Sequence, residues 1–347
     1  VVVAVDANGA DLGAAEVAAG AALAAAQGAR VLLFGPAREM APVALPAEVE
    51  VIDAPLSIAK SPDPARAARA TPQASIVQAA RAVAQGRAQA LVCAGGTGAA
   101  LAAGLFNIKR ARGVHRPALA LSLPVPEYPV TLLDVGANAE ARREHLVQFA
   151  FMGAALAQVV LGVERPRVGL LSNGEEVSRG SALVVEAQAE LAERVAGNGW
   201  LQLVGNVEGG DVVAGVADVI VTDGFTGNVA LKLMEGVSQT LLSAIRNAAM
   251  SSARAKAGGM LLAPSLRGLR EEIDPEAHGG AYLLGLRSLG VVPHGRFGRR
   301  GFAQAILRAE RGAREDLVGR TQAALEQAGA LKTAPVSARI DSLRGDR

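Results

Sequence analysis

The sequence predicts an α/β fold: a mostly parallel, doubly wound sheet with helices on both faces and a projecting helical hairpin. Three observations predict it. Short β-branched runs alternate with longer Ala-rich runs along the 347 residues. Several short runs are continuously apolar, as strands buried on both faces are. Gly-rich polar turns follow the short runs, where a parallel sheet places its ligand-binding loops.

The strands are expected at 1–5 (VVVAV), 30–34, 49–52, 90–93, 118–121, 130–133, 168–171, 201–204 and 219–221. Each is a run of three to five mostly apolar residues, with Arg30, Glu50 and Gln202 among the exceptions. The helices are expected at 14–27, 73–85, 99–106, 140–161, 181–196 and 229–250, where Ala and long side chains replace β-branched ones. Residues 60–73 hold three prolines and read as a loop. From 251 to 270 the pattern turns basic and apolar around a Gly-Gly pair, which reads as a hairpin projecting from the body within about 240–275. One domain over 1–330 and a flexible tail over 331–347 are expected, with no internal repeat.

Composition narrows the function. With 35 basic and 33 acidic residues the net charge is +2, too small for bulk nucleic-acid binding. Aromatics make up 3%, against a surface built on stacked bases. The single cysteine, Cys93, excludes an internal disulfide and a Cys-rich metal site. No charged leader and apolar core precede the first strand, so no secretory signal is expected, and a reducing cytoplasm fits. The uncharged run 146–163 carries Gln148 and Gln158 and reads as a buried helix, not a membrane span.

Glycine after a strand lets the backbone approach an anion, and the next helix offers unpaired N–H groups. Gly95, Gly96, Thr97 and Gly98 have this placement, as do Gly224, Thr226, Gly227 and Asn228. All these turns are expected along one rim of the sheet, sharing an anion site. The first turn, DANGADLG with Asp6 and Gly9, is not a dinucleotide fingerprint, and no Walker loop is present.

Carboxylates fall at strand ends: Asp6 and Asp11 in the first turn, then Asp134, Glu208 and Asp223. Helix capping and catalysis are both open for Asp134 and Asp223. No close His/Asp spacing supports a metal. Among the four histidines, His278 and His294 adjoin glycines and are the better acid or phosphate-donor candidates; His115 and His145 read as structural. Cys93 reads as a small buried hydrophobe. Lys109, Arg110, Arg112 and Arg116 form a basic cluster, and Arg296, Arg299 and Arg300 a second. Solvated surface is the ordinary reading, and steering an acidic partner is the sharper one.

The segments VAVDANGAD, AGGTGA, GVHRPALA, LLDVGANAE, QFAFMGAALA, GNVEGGD, VTDGFTGNVALKLMEG and HGGAYLLG, in this order over roughly 2–312, resemble the phosphate acyltransferase PlsX family. The resemblance implies a phosphotransacetylase / isocitrate dehydrogenase-like fold, a homodimer and peripheral membrane association on the inner face of the cell membrane. It implies transfer of a fatty acyl group from acyl-[acyl carrier protein] to inorganic phosphate, without a cofactor. The acyl phosphate would feed a separate membrane glycerol-phosphate acyltransferase. The sequence departs from the family pattern at Asn8 and Ala10 (usually DAMGGD), at Cys93 and Gly96 (usually SAGNTGA), and at Arg179, where the family has Lys.

Phosphate is itself a nucleophile, so the expected chemistry is direct attack on the thioester without an enzyme nucleophile. Preorientation can supply about 7–11 kcal/mol of the barrier. The catalytic candidates are His278, His294, Asp223 and Asn206. Substrate binding is expected from Asp6, Gly9, Gly95, Gly96, Thr97, Gly98, Asp134, Asn138, Gly224, Thr226, Gly227, Asn228 and Gly279. Lys109, Arg110, Arg112 and Arg116 are expected to dock the acidic carrier, and Met260, Leu261, Leu262 and Leu266 to touch membrane. The rivals are a phosphotransacetylase acting on short acyl-coenzyme A, a nicotinamide-dependent dehydrogenase, and a membrane-docked scaffold.

Overall fold

Short, mostly apolar runs stack into one eleven-stranded sheet, with order β3-β2-β1-β4-β11-β10-β5-β6-β9-β7-β8, buried through its middle and partly exposed at the end strands. The computed structural model describes residues 1–332 except 124, 126, 127, 197, 198 and 273, and gives no side-chain surroundings at 265–267 and 269–272. The expected tail beyond 332 lies outside the described residues. The strands are β1 (Val2–Asp6), β2 (Arg30–Gly35), β3 (Val49–Asp53), β4 (Ala90–Cys93), β5 (Ala118–Leu123) and β6 (Val130–Leu133). They continue as β7 (Arg167–Leu171), β8 (Gln202–Val207), β9 (Val219–Val221), β10 (Ala281–Leu284) and β11 (Leu289–Val292).

The helices are α1 (Ala14–Ala25), α2 (Ala37–Met40), α3 (Pro64–Ala70), α4 (Ser75–Ala84), α5 (Thr97–Ala103) and α6 (Arg143–Val160). Then come α7 (Ala182–Val195), α8 (Gly224–Met250), α9 (Ala253–Glu272), α10 (Arg299–Arg314) and α11 (Leu317–Gln327). One apolar core lies on the sheet face covered by α1, α6 and α10, where Val17, Phe149 and Phe302 are buried. A second lies on the opposite face beneath α4 and α5, around Ile76, Val77 and Ala100.

Strand direction decides where sites can form. β1, β2, β3, β4 and β11 run parallel to one another. β10 is antiparallel to both β11 and β5, and β5 is antiparallel to β6. β9, β7 and β8 follow the direction of β6. The carboxyl ends of β1, β4 and β11 therefore meet at one edge, called here the first edge. Those of β6, β9, β7 and β8 meet at the opposite, second edge.

All nine expected strands form. Two more, β10 and β11, are four residues each and carry no alternation by which to read them. Residues 60–73 were expected as loop but contain α3. Asp63 accepts from the Arg66 N–H at 2.9 Å and Pro64 opens the first turn, where proline starts a helix instead of breaking it. The 251–270 segment is not itself a hairpin. α9 passes unbroken through Gly258, Gly259 and Pro264, and the hairpin is α8 against α9. The turn falls at Ser251 and Ser252, where Ser252 Oγ accepts from the Ala255 N–H at 3.1 Å. Likewise α8 starts at Gly224, five residues before the expected point, because Asp223 caps it.

Candidate functional site

The expected single rim of Gly-rich turns is not what the strand directions build. A chain reversal between β5 and β6 sends the second half of the sheet the other way, so the turns divide between two edges. Asp6, Gly9, Gly95, Gly96, Thr97, Gly98, His278, Gly279 and His294 lie at the first edge. Asp134, Asn138, Asn206, Asp223, Gly224, Thr226, Gly227 and Asn228 lie at the second.

At the first edge three connections converge. The Asp11 N–H donates to the Gly295 carbonyl at 2.8 Å, tying the β1–α1 turn to the β11–α10 turn. The β4–α5 turn packs against the β3–α3 loop so tightly that a Cβ on Gly96 would stand 2.4 Å from the Ala59 carbonyl oxygen. The resembled family carries Asn at this position; here that side chain would collide with the loop. Asn8, another departure from the pattern, secures the same loop. Its Nδ2 donates to the Ala54 carbonyl at 3.0 Å and to Ser75 Oγ at 2.9 Å. The sequence marks Asn8 only as a departure from the family pattern and gives Ser75 no role, since a contact spanning 67 residues leaves no local spacing to read.

Beneath these turns Asp6 is buried. It accepts from the Asn8 N–H at 3.2 Å and from the Cys93 thiol at 3.6 Å. Burial raises its pKa to about 6, and hydrogen bonds from Ser75, Asn8 and Cys93 only partly oppose that. Burial, and then the Asp6 charge, push the Cys93 thiol well above its ordinary range, so Cys93 is a poor nucleophile.

His294 is held below its ordinary pKa by burial first and by the charge of Lys232 next. Its Nδ1 accepts from the Arg296 N–H at 3.2 Å, which leaves Nε2 to carry the proton of the neutral ring. Lys232 and Glu235 belong to α8, which starts at the second edge; the helix brings charge back towards the first. His278 instead meets the half-buried Arg308 of α10 at 3.4 Å through Nδ1. Gly279 takes a φ of 62° and packs against the α10 backbone at Ala305.

The second edge is a knot of backbone and carboxylate. Asp134 accepts from the N–H groups of Leu119, Gly136, Ala137 and Asn138 at 2.8–3.1 Å and from Asn138 Nδ2 at 2.8 Å. Asn138 Nδ2 also donates to the Pro117 carbonyl. Asp223 accepts from the Thr226 N–H at 2.9 Å and from Thr226 Oγ1 at 2.7 Å, capping α8. A Cβ on Gly227 would overlap the Asp134 carbonyl oxygen, so α8 and the β6 turn share one backbone contact. Further along, Asn206 Nδ2 donates to the carbonyls of Glu176 and Arg179, holding the 174–180 loop.

Of the basic cluster, Arg110 and Arg116 line a cavity at the second edge, with His115, Glu144 and His145. The ligand-capable atoms of His115, Glu144 and His145 lie within 4.8 Å of one another, a grouping that sequence spacing hid. Met260, Leu261 and Leu262 are 72%, 84% and 60% exposed on α9, and the side chain of Leu266 lies outside the described residues. Among the described residues no helix is long and apolar enough to cross a membrane.

A family model described as "Fatty acid synthesis protein" matches residues 1–320. The chain is 40% identical over 327 residues to a phosphate acyltransferase of Heliobacterium modesticaldum, covering 92% of this chain and 96% of that one. It is 41% identical to the phosphate acyltransferase of Geobacillus thermodenitrificans over 94% of this chain and 99% of the other. Among solved structures it resembles a phosphotransacetylase from Streptococcus pyogenes (TM-score 0.62, 15% identity, 90% and 94% of the two chains). It also resembles the EutD phosphotransacetylase of Staphylococcus aureus (TM-score 0.59, 18% identity, 90% and 94%). At such identities the structural likeness bears on fold alone.

Proposed function

The chain belongs to the phosphate acyltransferase (PlsX) family, and from that premise we propose how its residues move a fatty acyl group from acyl carrier protein to phosphate. It is an acyltransferase whose acceptor is phosphate. The observation that supports a working site at the first edge is the convergence of the Asp11, Gly95 and His294 turns over the buried Asp6, whose pKa burial raises to about 6.

Phosphate lies against the N–H groups of Gly96, Thr97 and Gly98 at the start of α5. A phosphate oxygen attacks the thioester carbon, the C–S bond breaks, and the carrier leaves as thiolate. His294, neutral and protonated on Nε2, donates a hydrogen bond to the oxyanion as it forms; the proton of hydrogen phosphate, released as the acyl phosphate forms, passes through water to the thiolate; Lys232 neutralises phosphate charge. Asp6 positions the Gly95 turn through Asn8. The second-edge residues Asp134, Asn138, Asp223, Gly224, Thr226, Gly227 and Asn228 serve by fixing the origin of α8, which carries Lys232. Lys109 and Arg112 dock the acidic carrier.

The test is release of free carrier thiol from acyl carrier protein, with and without phosphate, alongside a short acyl-coenzyme A. Phosphate-dependent release from the carrier substrate supports the reading; release from coenzyme A alone would replace it with a phosphotransacetylase.

A homodimer fits the exposed α8 stripe Val229, Leu233, Val237, Leu241 and Ile245, spaced four residues apart. Met260, Leu261 and Leu262 fit a peripheral contact with the inner face of the cell membrane in a cytoplasmic protein. Leu233→Glu should halve the mass in light scattering, and Leu261→Glu should abolish liposome flotation; unchanged behaviour rejects each.

A further inference from the structure

The cavity at the second edge is unlike the Gly-rich turns. It encloses about 460 Å³ and its walls come from the 105–117 segment, the start of α6 and Lys332. Backbone bonds fix these walls together. The Lys332 N–H donates to the Gly113 carbonyl at 2.8 Å. Buried Gln148 of α6 accepts from the His115 N–H and donates to the carbonyls of Gly113 and Ala330 at 2.8–2.9 Å. Thus loop, helix and the 330–332 segment are tied into one shape.

Four cations line this space: Arg110, Arg116, Arg142 and Lys332. One carboxylate, Glu144, opposes them. Among the described residues none of the four is in an ion pair. The eighteen-residue α6 points its amino end, and so its partial positive charge, at the same place.

His145 distinguishes the ligand class. It is 7% exposed and lines the cavity. Its Nδ1 lone pair is taken by the Arg142 N–H at 3.1 Å, so in the neutral ring Nε2 carries the proton and offers a donor. A metal ion needs a lone pair there and would meet four positive charges. The His115, Glu144, His145 grouping is therefore a poor cation site despite its compactness.

We propose that this cavity binds a phosphomonoester dianion, at a site separate from the Gly-rich turns of the acyl-transfer centre. Arg142, Arg116 and Lys332 pair with the phosphate oxygens, His145 Nε2–H donates a further bond, and Leu105 and Phe106 flank the organic part.

The histidines supply a readout independent of turnover. His115 and His145 both sit below their ordinary pKa, chiefly through burial. Glu144 raises both; Arg110 and Lys332 lower His115, and Arg116 and Arg142 lower His145, while Glu190 raises His115. A bound dianion opposes the burial cost of a charged ring, so both midpoints should rise.

The experiment follows the imidazole resonances of the full chain by NMR, titrated in turn with inorganic phosphate, propyl phosphate and zinc ion. Expected is a saturable shift of His115 and His145 with propyl phosphate, their midpoints moving up. The affinity should fall about tenfold or more in Arg142→Gln/Lys332→Gln. His294→Gln should leave the titration intact. Arg116→Gln offers a second variant if the double substitution disturbs folding. Saturation by inorganic phosphate at equal affinity would reassign the site to the free ion and overturn the ester specificity. No saturable shift with either phosphate, an undiminished shift in both variants, or a response to zinc alone overturns the proposal.

Discussion

Both edges of the sheet present an aspartate at a strand end followed by a Gly-rich turn, and the two behave differently. Asp134 receives five hydrogen bonds from Leu119, Gly136, Ala137 and Asn138. Burial pushes both carboxyls above their ordinary range. Asp6 has fewer bonds to oppose it, a 3.2 Å bond from Asn8, the Cys93 thiol and Ser75, and its pKa is raised to about 6. The same sequence signal produces a many-bonded fastening at one edge and a sparsely bonded carboxyl at the other. The number of donors aimed at the carboxylate separates them, and that number depends on strands that meet only in the fold.

The contrast can be broken in four ways. Asp134→Ala should have the largest effect. It strands four backbone N–H groups in a buried turn and should cost about 3–5 kcal/mol, read as a lower urea midpoint. A loss under 1 kcal/mol would mean the knot is dispensable.

Asp6 should act through pH. Its folded pKa is raised from 3.8 to about 6, so the folded state holds the proton more tightly than the unfolded state does. The associated stability is present below pH 3.8 and lost as pH rises through about 6. That shift corresponds to about 3 kcal/mol. Urea unfolding at about pH 3 and about pH 7 should show wild type losing about that much relative to Asp6→Asn. A pH-independent difference would refute the assignment.

His294→Gln should lower kcat about 100-fold, within the usual range for losing an oxyanion donor, with the thermal midpoint unchanged. A variant that unfolds instead would move His294 to the fastening side of the comparison. Smallest is Asp223→Ala, which removes the cap of α8 and should cost about 1 kcal/mol. The specific activity of the folded fraction should remain; a large loss in kcat would put Asp223 in contact with substrate.

The fold was legible where the physics is local. Continuous apolar runs such as Ala90–Cys93 need burial on both faces, and these became strands along with the other expected runs. β10 and β11 escaped because AYLL and LGVV are too short to show a period and lie among glycines. α3 escaped because Pro64 breaks a helix in most positions and begins one in this position. The turns were legible as turns. Their division between edges was not, since it follows from one antiparallel pairing, β5 with β6, which leaves no mark on either strand's composition. The cavity at Arg142 and His145 was hidden for a related reason: its walls are separated by up to about two-thirds of the chain, as Lys332 beside Gly113 illustrates.

α8 joins the two edges as a rigid rod. Its origin is locked where Gly227 meets the Asp134 carbonyl, and Lys232, little more than one turn further on, faces the surroundings of His294. Each residue of such a rod advances the azimuth by about 100°. A single residue inserted after Asn228 would swing Lys232 about a quarter-turn away from the histidine, whereas four would nearly restore its bearing at a displacement of about 6 Å. The spacing between the fastening and the lysine is thus a length and a phase at once, and evolution can alter it only in near-whole turns.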